Sequence, residues 1–596
     1  MTRLSVCLPA LLTAGTLAAQ AVPQRYLWTW DNRMDWVNPG KAVSIMGGGP
    51  YTKAPADFLA DYKALVDYLH GHTSFNAIII WGFLRDAHGG VKASQELCEY
   101  ARARGIRIIP GVGTSGYEGY YYEGNHRYNI TTWLREHPEL RAVNAKGQPH
   151  NALCPTKPAN IQWLNDGCRW LFATFQIGGV NFEIGDFFVC YCDDCKAARA
   201  RIPGDIPDYY KDMALSTAPV ARLAHELAPD AWLSYATYTG FSPEMARTPP
   251  AWVELIPAEI ICQWTLTGMV SDAKWPTGLR PPTQTNMGYL HWGNKSTHSV
   301  HHFYPARIQD VCRRAAAADF VGLATYGEDP DSIFSMKLFY AAWSFFLEHP
   351  DRGLADFAEQ VLAGWFGSAA EAQRLLAVVK PLEEQGLTRD TLSAAKAEVS
   401  AALAAAGTPA AKVTWQEFGR FLDDRLAELA ADDLVLTGAA AEAALQKGLQ
   451  VKQGATVTLV LPRRAADVLE LRVRVQYSVE NGLLPVMKLT FNGVPLTPER
   501  ALDRPVEIAM PEHEGYRVLT SFEARSGAWR VKYAPDFAFS AARAGKYATP
   551  DYRPEFRFRV GDLWGDGANR LEISNREQRF RPSEQGVLVV DRIRFE

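Results

Sequence analysis

Short apolar runs alternate with longer amphipathic segments from residue 26 to residue 325. The apolar runs are short and Gly or Pro punctuates the turns between elements, which is typical of buried strands that alternate with helices. The runs that predict strands are Tyr26–Trp30, Ala77–Trp81, Ile106–Val112, Val180–Ile184, Trp232–Ala236, Ile260–Trp264, Thr285–Leu290 and Phe320–Thr325. Apolar residues recur at helical spacing in Asp57–Leu69, Ala93–Arg104, Ile161–Thr174, Ala214–Ala228 and Ala306–Ala318. Eight βα units in succession predict an α/β fold of the (β/α)8 TIM-barrel class.

A doubly wound parallel sheet is the alternative arrangement of these elements. Such sheets usually carry a Gly-rich phosphate-binding turn after an early strand, and the pattern G-x-G-x-x-G is absent from this sequence. The run Gly47-Gly48-Gly49 has neither that spacing nor a following Lys. The barrel is therefore the favoured architecture, and we expect no organic cofactor.

The pattern changes after the eighth predicted strand. Helical periodicity covers Ser332–Leu347, Leu354–Phe366 and an Ala-rich series that reaches about Gln446. From about Ala455, β-branched residues alternate with polar ones and are broken by turn signals such as Asn492-Gly493. We expect a signal peptide at residues 1–21, a catalytic barrel at 22–350, a helical extension at 351–450 and a jelly-roll-like β-sandwich at 451–596.

The N-terminal segment has the pattern of a secretory signal. Arg3 precedes an apolar run through Leu12, and Ala19-Gln20-Ala21 satisfies the small-x-small cleavage rule. We therefore expect cleavage near Ala21 and a protein that is exported to the periplasm or the extracellular space. No later apolar run approaches the ~20 residues that span a bilayer, so no membrane insertion is expected.

Composition narrows the class of partner. The formal net charge is -4, and no basic run of five or more residues appears, so a nucleic-acid partner has no electrostatic support. The chain holds 17 Trp and 24 Tyr. Flat apolar rings with a polar edge suit sugars, and filling a large barrel is the alternative use of these residues. We expect a carbohydrate substrate, while the sequence gives no indication of the oligomeric state.

Three cysteines follow the fourth predicted strand in the spacing C-x-C-x2-C, at Cys190, Cys192 and Cys195. In an exported protein, disulfides are the ordinary use of an even number of cysteines. Three cysteines within six residues cannot all pair locally as disulfides, whereas their thiolates can converge on one ion. We therefore predict a structural Zn²⁺ site with Cys154 or Cys168 as the fourth ligand, and disulfides remain the alternative.

Carboxylates stand where barrel enzymes keep their reactive groups, after the C-terminal ends of strands. Glu183 and Asp186 follow the fourth predicted strand, and Glu328 follows the eighth. Cleavage of a glycosidic bond requires an acid that protonates the leaving oxygen and a second carboxylate that acts as nucleophile or activates water. We predict Glu183 as the acid. Glu328 is its expected partner because strands four and eight face each other across a barrel, and Asp186 is the rival partner.

Polar and aromatic residues near the ends of other predicted strands are candidate sugar contacts, although each would also suit the core. They are Trp30, Asp31, Trp81, Arg85, Tyr235, Gln263, Trp264, His291 and Trp292. The aromatic loop Tyr117–Tyr128 adds Tyr121 and His126, with a solvated loop as the alternative. Arg85 suits a carboxylated or sulfated sugar, and a structural salt bridge is its alternative role.

The segment from about residue 150 to residue 200 resembles the glycoside hydrolase family 42 β-galactosidases. In that family the fourth strand ends in an Asn-Glu pair, and a C-x-C-x2-C run with an upstream cysteine binds zinc. Here Glu183 precedes Cys190-Tyr191-Cys192-Asp193-Asp194-Cys195, and the segment Ala152-Leu153-Cys154-Pro155 is similar to the upstream motif. The resemblance implies Glu183 as acid/base and Cys154 as the fourth ligand. Phe182 stands where the family has Asn, and the seventh strand region Asn286–Trp292 lacks the carboxylate that the clan uses as nucleophile.

A second resemblance, to α-glucuronidase and β-N-acetylhexosaminidase-like barrels, covers Leu338–Gly367 with its Trp365-Phe366-Gly367. Together the two imply a secreted barrel glycoside hydrolase. Two other functions remain open at this point. One is a catalytically degenerate barrel that only binds carbohydrate, favoured by the missing strand-seven carboxylate. The other is a metal-dependent hydrolase that uses the cysteine cluster.

Overall fold

The computed structural model describes most of the chain. The described ranges are residues 21–29, 55–184, 188–240, 242–266, 278–290, 303–326, 334–429, 433–452, 455–476, 486–502, 508–509, 517–523, 527–534, 555–575 and 587–596. The predicted signal peptide at residues 1–21 lies almost entirely outside these ranges. Among the helices of the described part, none is long and apolar enough to cross a membrane.

Eight parallel strands form a closed barrel, which confirms the predicted fold class. They are β1 (Gln24–Thr29), β2 (Ala77–Ile80), β3 (Arg107–Gly113), β4 (Gly179–Glu183), β5 (Trp232–Gly240), β6 (Ile261–Thr265), β7 (Asn286–Leu290) and β8 (Gly322–Tyr326). Each strand pairs with its sequence neighbours, and β1 closes the barrel by pairing with β8. Every predicted strand is present, with ends displaced by a few residues at most.

Helices lie between most of these strands. The helices of the barrel region are Pro55–His72, Gly90–Arg102, Ile130–Glu136, Pro158–Thr174, Asp193–Ala200, Asp208–Leu227, Pro243–Arg247, Pro305–Ala317 and Phe334–Glu348. Local sequence explains several starts: Pro stands in the first turn of the helices that begin at Pro158 and Pro305. Asn129 caps the helix at Ile130 by accepting a hydrogen bond from the Thr132 amide.

Alternation along the strands separates two cores. Outward side chains such as Leu27, Ile78 and Phe182 pack with the helices in the largest apolar cluster. Inward side chains such as Trp28, Ile79 and Trp81 form a second cluster inside the barrel. Because side chains alternate along a strand, Glu183 and Asn181 both lie on the inner face, while Phe182 lies on the outer face.

The inward side chains form layers, as expected for a barrel with a shear of about 8. From the strand register, one layer contains Ile79, Asn181, Gln263 and Ala324. The next layer toward the C-terminal mouth contains Trp28, Gly111, Ala236 and Tyr289. Glu183, Trp81 and Thr265 belong to the layer above, which is the one nearer to the mouth.

A set of helices follows the barrel, and sheets follow the helices. The helices are Leu354–Phe357, a π-helix at Ala358–Leu362, Ala363–Phe366, Ala369–Gln385, Arg389–Ala405, Pro409–Leu429 and Gly438–Lys447. One sheet contains Leu434–Thr437, Thr456–Leu461, Val486–Phe491, Val494–Pro495, Ile508–Ala509, Arg517–Glu523, Ala528–Ala534 and Asn569–Ser574, and the other contains Leu449–Val451, Val468–Gln476, Glu555–Arg559 and Val587–Phe595. Their apolar faces share one core, in which Leu459 and Leu471 are fully buried, so the predicted β-sandwich is present.

Candidate active site and metal centre

Glu183 is the last residue of β4, and it lies on the inner face at the C-terminal end of the barrel. Its exposed fraction is only 1%. The loop after β3 fixes the backbone at this point, because the Thr114 amide donates to the Glu183 carbonyl oxygen at 2.8 Å and the Gly116 amide donates to the Ile184 carbonyl oxygen at 3.1 Å. The position is the one the sequence predicted, and the catalytic role of Glu183 stays a prediction.

Six of the predicted site residues lie outside the described ranges. They are the two candidate partner carboxylates, Asp186 and Glu328, and the candidate sugar contacts Trp30, Asp31, His291 and Trp292. Their predicted roles therefore stand as they were derived from the sequence.

A buried polar network lies beneath Glu183, and sequence reasoning did not anticipate it. The Asn181 side chain accepts a hydrogen bond from Trp81 Nε1 at 3.2 Å. Asn181 Nδ2 donates to Ser234 Oγ at 2.7 Å and to Gln263 Oε1 at 3.0 Å. All four residues are at most 2% exposed. Four strands thus contribute to one network inside the barrel.

Aromatic rings line the inner face beside this network. Trp28 stacks with Trp81 at a centroid distance of 6.4 Å and contacts Tyr289 at 4.2 Å. Tyr117, from the loop after β3, packs edge-on against Trp81 at 5.5 Å. Gly111 makes room for this arrangement, since a Cβ atom there would lie 2.2 Å from the Trp81 ring. Trp81 is therefore an inward residue and is fully buried, and its contact with a sugar stays a prediction.

Two of the predicted sugar contacts face away from the barrel interior. Tyr235 and Trp264 belong to the apolar cluster between the strands and the helices. Trp264 Nε1 donates to Asn286 Oδ1 at 2.7 Å, and its ring contacts Trp252 at 5.4 Å. The prediction is corrected here: the side chains of these two residues lie on the outer face of the barrel. Gln263, which precedes Trp264 and pairs with Ala236, is the inward residue.

Arg85 takes the structural role that was its alternative. Its guanidinium group is an ion-pair partner of Glu123 at 2.5 Å and lies over the Tyr122 ring at 4.4 Å. The residue is 1% exposed, and Gly82 leaves space for it because a Cβ there would approach Arg85 Nε to 2.8 Å. The ion pair satisfies the charge that a carboxylated or sulfated sugar was expected to meet.

The aromatic loop divides its side chains between two surfaces. The Tyr121 hydroxyl donates to Asp86 Oδ1 at 2.6 Å, and the Tyr121 ring stacks on His126 at 4.4 Å. His126 also contacts Trp170 of the helix Pro158–Thr174 at 4.8 Å. Burial lowers the pKa of His126, and the neighbouring Arg127 lowers it further. Tyr121 and His126 thus pack the loop onto that helix, while Tyr117 and Tyr122 turn toward the inner face of the barrel.

Four cysteine sulfur atoms converge beside the loop that follows β4. Cys154, Cys190, Cys192 and Cys195 place their sulfurs within 4.8 Å of one another, and the set could hold a metal ion. Cys154 Sγ lies 3.8, 3.7 and 3.5 Å from the sulfurs of Cys190, Cys192 and Cys195. Zn–S bonds of about 2.3 Å in a tetrahedron separate the sulfurs by roughly 3.8 Å, which matches these distances.

Disulfide bonds, and Cys168 as the fourth ligand, agree less well with the structure. Sulfur separations of 3.5 to 3.8 Å exclude S–S bonds between Cys154 and the other three cysteines in this arrangement, since a disulfide bond is about 2.05 Å long. All eight cysteines of the described part are free thiols. Cys168, the other candidate for the fourth ligand, lies in the separate apolar cluster next to Val220. Hydrogen bonds with the Cys190 and Cys195 thiols lower the pKa of Cys154.

A buried ion pair between Arg199 and Asp212 binds the backbone of Cys190, the first cysteine of the run. The Cys190 amide donates to Asp212 Oδ2 at 3.0 Å, and Arg199 Nη1 donates to the Cys190 carbonyl oxygen at 2.7 Å. Arg199 and Asp212 are joined at 2.8 Å, and their side chains are 5% and 2% exposed. Burial raises the pKa of Asp212, while hydrogen bonds from Arg199 and Cys190 oppose the rise. Both backbone polar groups of Cys190 are therefore satisfied by one buried pair.

Backbone hydrogen bonds join the cysteine cluster to Glu183. The Leu153 amide, next to Cys154, donates to the Ser115 carbonyl oxygen at 2.8 Å. Ser115 belongs to the turn whose Thr114 amide holds the Glu183 carbonyl oxygen. The turn that holds the end of β4 is thus hydrogen-bonded to the residue next to Cys154.

The residues missed by the sequence analysis have different kinds of signal. Asn181 and Ser234 are polar residues within predicted buried strands, so their position indicated an interior network. Arg199 and Asp212 lie on two helices and show no motif, and only the packing of those helices brings them to Cys190.

Comparisons with known proteins give similarity in fold alone. No protein-family model matches the sequence, and no curated protein matches it. Among solved structures, a GH138 enzyme targeting pectin rhamnogalacturonan II is 11% identical, with a TM-score of 0.39, over 69% of this chain and 57% of that chain. A Thermobaculum terrenum O-GlcNAc hydrolase mutant is 11% identical, with a TM-score of 0.35, over 72% of this chain and 87% of that chain. A beta-N-acetylhexosaminidase is 12% identical, with a TM-score of 0.36, over 58% and 76%. Likenesses this distant carry no argument about activity, and the strand register itself establishes the barrel.

Proposed function

We propose that this protein is an exported glycoside hydrolase that cleaves a glycosidic bond of an oligo- or polysaccharide, with Glu183 as the general acid. The observation that carries the proposal is the position of Glu183, on the inner face at the C-terminal end of β4 and in the same interior layer as Trp81. Barrel enzymes place their reactive groups at this end. The family resemblances described for the sequence point to the same residue.

The chemistry requires Glu183 to carry a proton when the substrate binds and to donate it to the leaving oxygen. A second carboxylate completes the reaction, and Glu328 remains our first candidate with Asp186 as the rival. The separation of the two carboxyl groups decides between retention, at about 5 Å, and inversion, at about 6.5 to 9.5 Å.

We assign the cysteine cluster to a structural Zn²⁺ ion. Four thiolates saturate a tetrahedral ion and leave no position for a reacting water, so the ion would support the site and not perform the reaction. Cys154, Cys190, Cys192 and Cys195 would hold it, and the Arg199–Asp212 pair would hold the backbone of Cys190. The ion would then fix the loop that leaves Glu183.

Hydrolysis of a panel of aryl glycosides and polysaccharides tests the enzyme proposal. For any substrate that the wild-type protein cleaves, Glu183→Gln should lower kcat by about 100-fold to 10,000-fold, because the amide cannot donate an acidic proton. Glu226→Gln is the matched control, since Glu226 is exposed on the helix Asp208–Leu227. Unchanged turnover of Glu183→Gln would point to another acid, whereas a wild-type protein that binds a glycan and cleaves none would favour the carbohydrate-binding alternative.

Metal analysis tests the assignment of the cluster. We expect about one zinc per chain and a loss of that zinc in Cys192→Ser. Complete zinc removal from a protein that remains folded should lower activity only because Glu183 is displaced, since the ion takes no part in the reaction. A chain that loses the ion but keeps full activity excludes a metal-dependent hydrolase.

A further inference from the structure

The polar network beneath Glu183 stands where barrels of this class are filled with aliphatic side chains. Bulky branched residues dominate the interior layers of (β/α)8 barrels. Here one interior layer contains Asn181 and Gln263, and Ser234 lies one step deeper. Buried amides cost stability unless each polar atom is paired, so their presence in a core calls for a reason.

The chemistry of the donors fixes how each amide is oriented. An indole N–H can only donate, so the Asn181 atom that faces Trp81 must be the oxygen. Asn181 Nδ2 therefore faces Ser234 and Gln263, and the Gln263 atom that receives its hydrogen bond must be Oε1. It follows that Gln263 turns Nε2, with its two N–H donors, away from Asn181.

Those two donors are the unused part of the network. Within the part of the chain that the structure describes, Gln263 Nε2 makes no hydrogen bond, although the residue is only 2% exposed. The layer between Gln263 and the mouth contains two small residues, Gly111 and Ala236. The Trp81 ring occupies the space over Gly111, whereas Ala236 extends a single methyl group inward from the strand beside Gln263.

We propose that Gln263 Nε2 donates a hydrogen bond to an acceptor oxygen of the sugar bound next to Glu183, and that Asn181 is the positioning residue that sets this orientation. The proposal rests on the proposed function, because it deepens the same site. The ligand chemistry is a hydroxyl or carbonyl oxygen of a sugar, which a neutral amide recognises without a charge. A donor that is already oriented loses little rotamer entropy when the sugar binds.

Two substitutions and their combination test the proposal. Gln263→Met removes the donor at similar length, and Asn181→Leu removes the group that orients it. Each should lower kcat/KM, or glycan affinity, by about 10-fold to 100-fold, because a sugar oxygen loses its partner. The double variant should lose no more than Gln263→Met alone, since Asn181 acts through Gln263. Cys262→Ala is the control, because Cys262 is the neighbouring residue on the outer face of β6.

The measurements are hydrolysis of the aryl glycoside that the wild-type protein cleaves fastest and calorimetric binding of the corresponding glycan. Full activity and affinity in Gln263→Met would overturn the proposal, and additive losses in the double variant would overturn the positioning role of Asn181. A wild-type protein that binds a glycan without cleaving it contradicts the proposed function alone, and glycan affinity then decides the role of Gln263. A protein that neither binds nor cleaves any glycan contradicts both.

Discussion

Removal of the Asp212 carboxylate should destabilise the barrel much more than removal of a surface carboxylate. Asp212→Ala leaves the Arg199 side chain, which is 5% exposed, without its 2.8 Å partner and leaves the Cys190 amide without an acceptor. Loss of one member of a buried ion pair costs about 3 to 5 kcal/mol, because a charge remains buried and uncompensated. Arg199 retains Asp208 at 3.4 Å, and that carboxylate is 51% exposed, so its compensation is small. We expect a loss of about 3 kcal/mol or more in the free energy of unfolding.

One further variant separates the charge of Asp212 from its shape, and another serves as a surface control. Asp212→Asn keeps one accepting oxygen but removes the negative charge, so Arg199 stays uncompensated and the cost should be close to that of Asp212→Ala, about 3 kcal/mol. Glu96→Ala removes the exposed partner of Lys63, a pair at 2.5 Å with side chains 29% and 49% exposed. That control should cost less than about 1 kcal/mol, because solvent screens surface pairs.

The assay is equilibrium urea unfolding of the zinc-loaded protein, with the m value compared among variants, followed by zinc release to a chromogenic chelator. We expect Asp212→Ala to release zinc faster than wild type. The Cys190 amide loses its acceptor, and Arg199, which donates to the Cys190 carbonyl oxygen, loses the carboxylate that positions it. An Asp212→Ala variant within about 1 kcal/mol of wild type, with unchanged zinc release, would refute the reasoning.

Three other predictions follow from local contacts. Gly111→Ala should cost about 1 to 3 kcal/mol in the free energy of unfolding by overpacking, because its Cβ would lie 2.2 Å from the Trp81 ring, whereas Gly364→Ala, with nothing within 4 Å, should be neutral or stabilising. Trp264→Phe should cost about 0.5 to 1.5 kcal/mol in urea unfolding, because the buried Asn286 oxygen loses the indole N–H at 2.7 Å and keeps only the Thr283 hydroxyl as a donor; an unchanged midpoint would contradict the outward placement. The folded pKa of His126 is lowered by burial, so the unfolded chain binds the proton more tightly. Stability from this residue is therefore present above its ordinary pKa of about 6.5 and is lost as the pH falls through the folded value. NMR titration should give a pKa below 6.5, and His126→Phe should flatten the dependence of unfolding on pH between about 7 and 5.

The sequence predicted the barrel well because its signal is local and repeated. Each strand is a short apolar run, each long helix has an amphipathic period, and eight repetitions admit few other architectures. The position of Glu183 followed from the same reasoning, since the end of a strand can be located to within a few residues. The cysteine spacing pointed to a metal cluster for a related reason: three ligands lie so close in sequence that the loop alone brings them together.

The face of the strand on which each side chain lies was harder to predict, and the wrong assignments of Tyr235 and Trp264 share a cause. A shift of one residue moves a side chain from the inner face of a strand to the outer face. Tyr235 and Trp264 were predicted to line the mouth, yet both are one position out of phase with the inward residues Ala236 and Gln263. Arg85 was a candidate for binding an anionic sugar because its partner Glu123, 38 residues later, could not be identified from the sequence.

By itself, then, the sequence determined the order of the elements, the residue at the end of β4 and the three-cysteine run, all of which depend on neighbours along the chain. Only the tertiary structure decided which polar groups meet. Asn181 joins Trp81, Ser234 and Gln263 across four strands, and Arg199 joins Asp212 behind Cys190, because barrel closure and helix packing bring distant segments into contact. The physical reason is that a buried hydrogen bond depends on distance and direction in space, and sequence periodicity specifies only the face on which each partner lies.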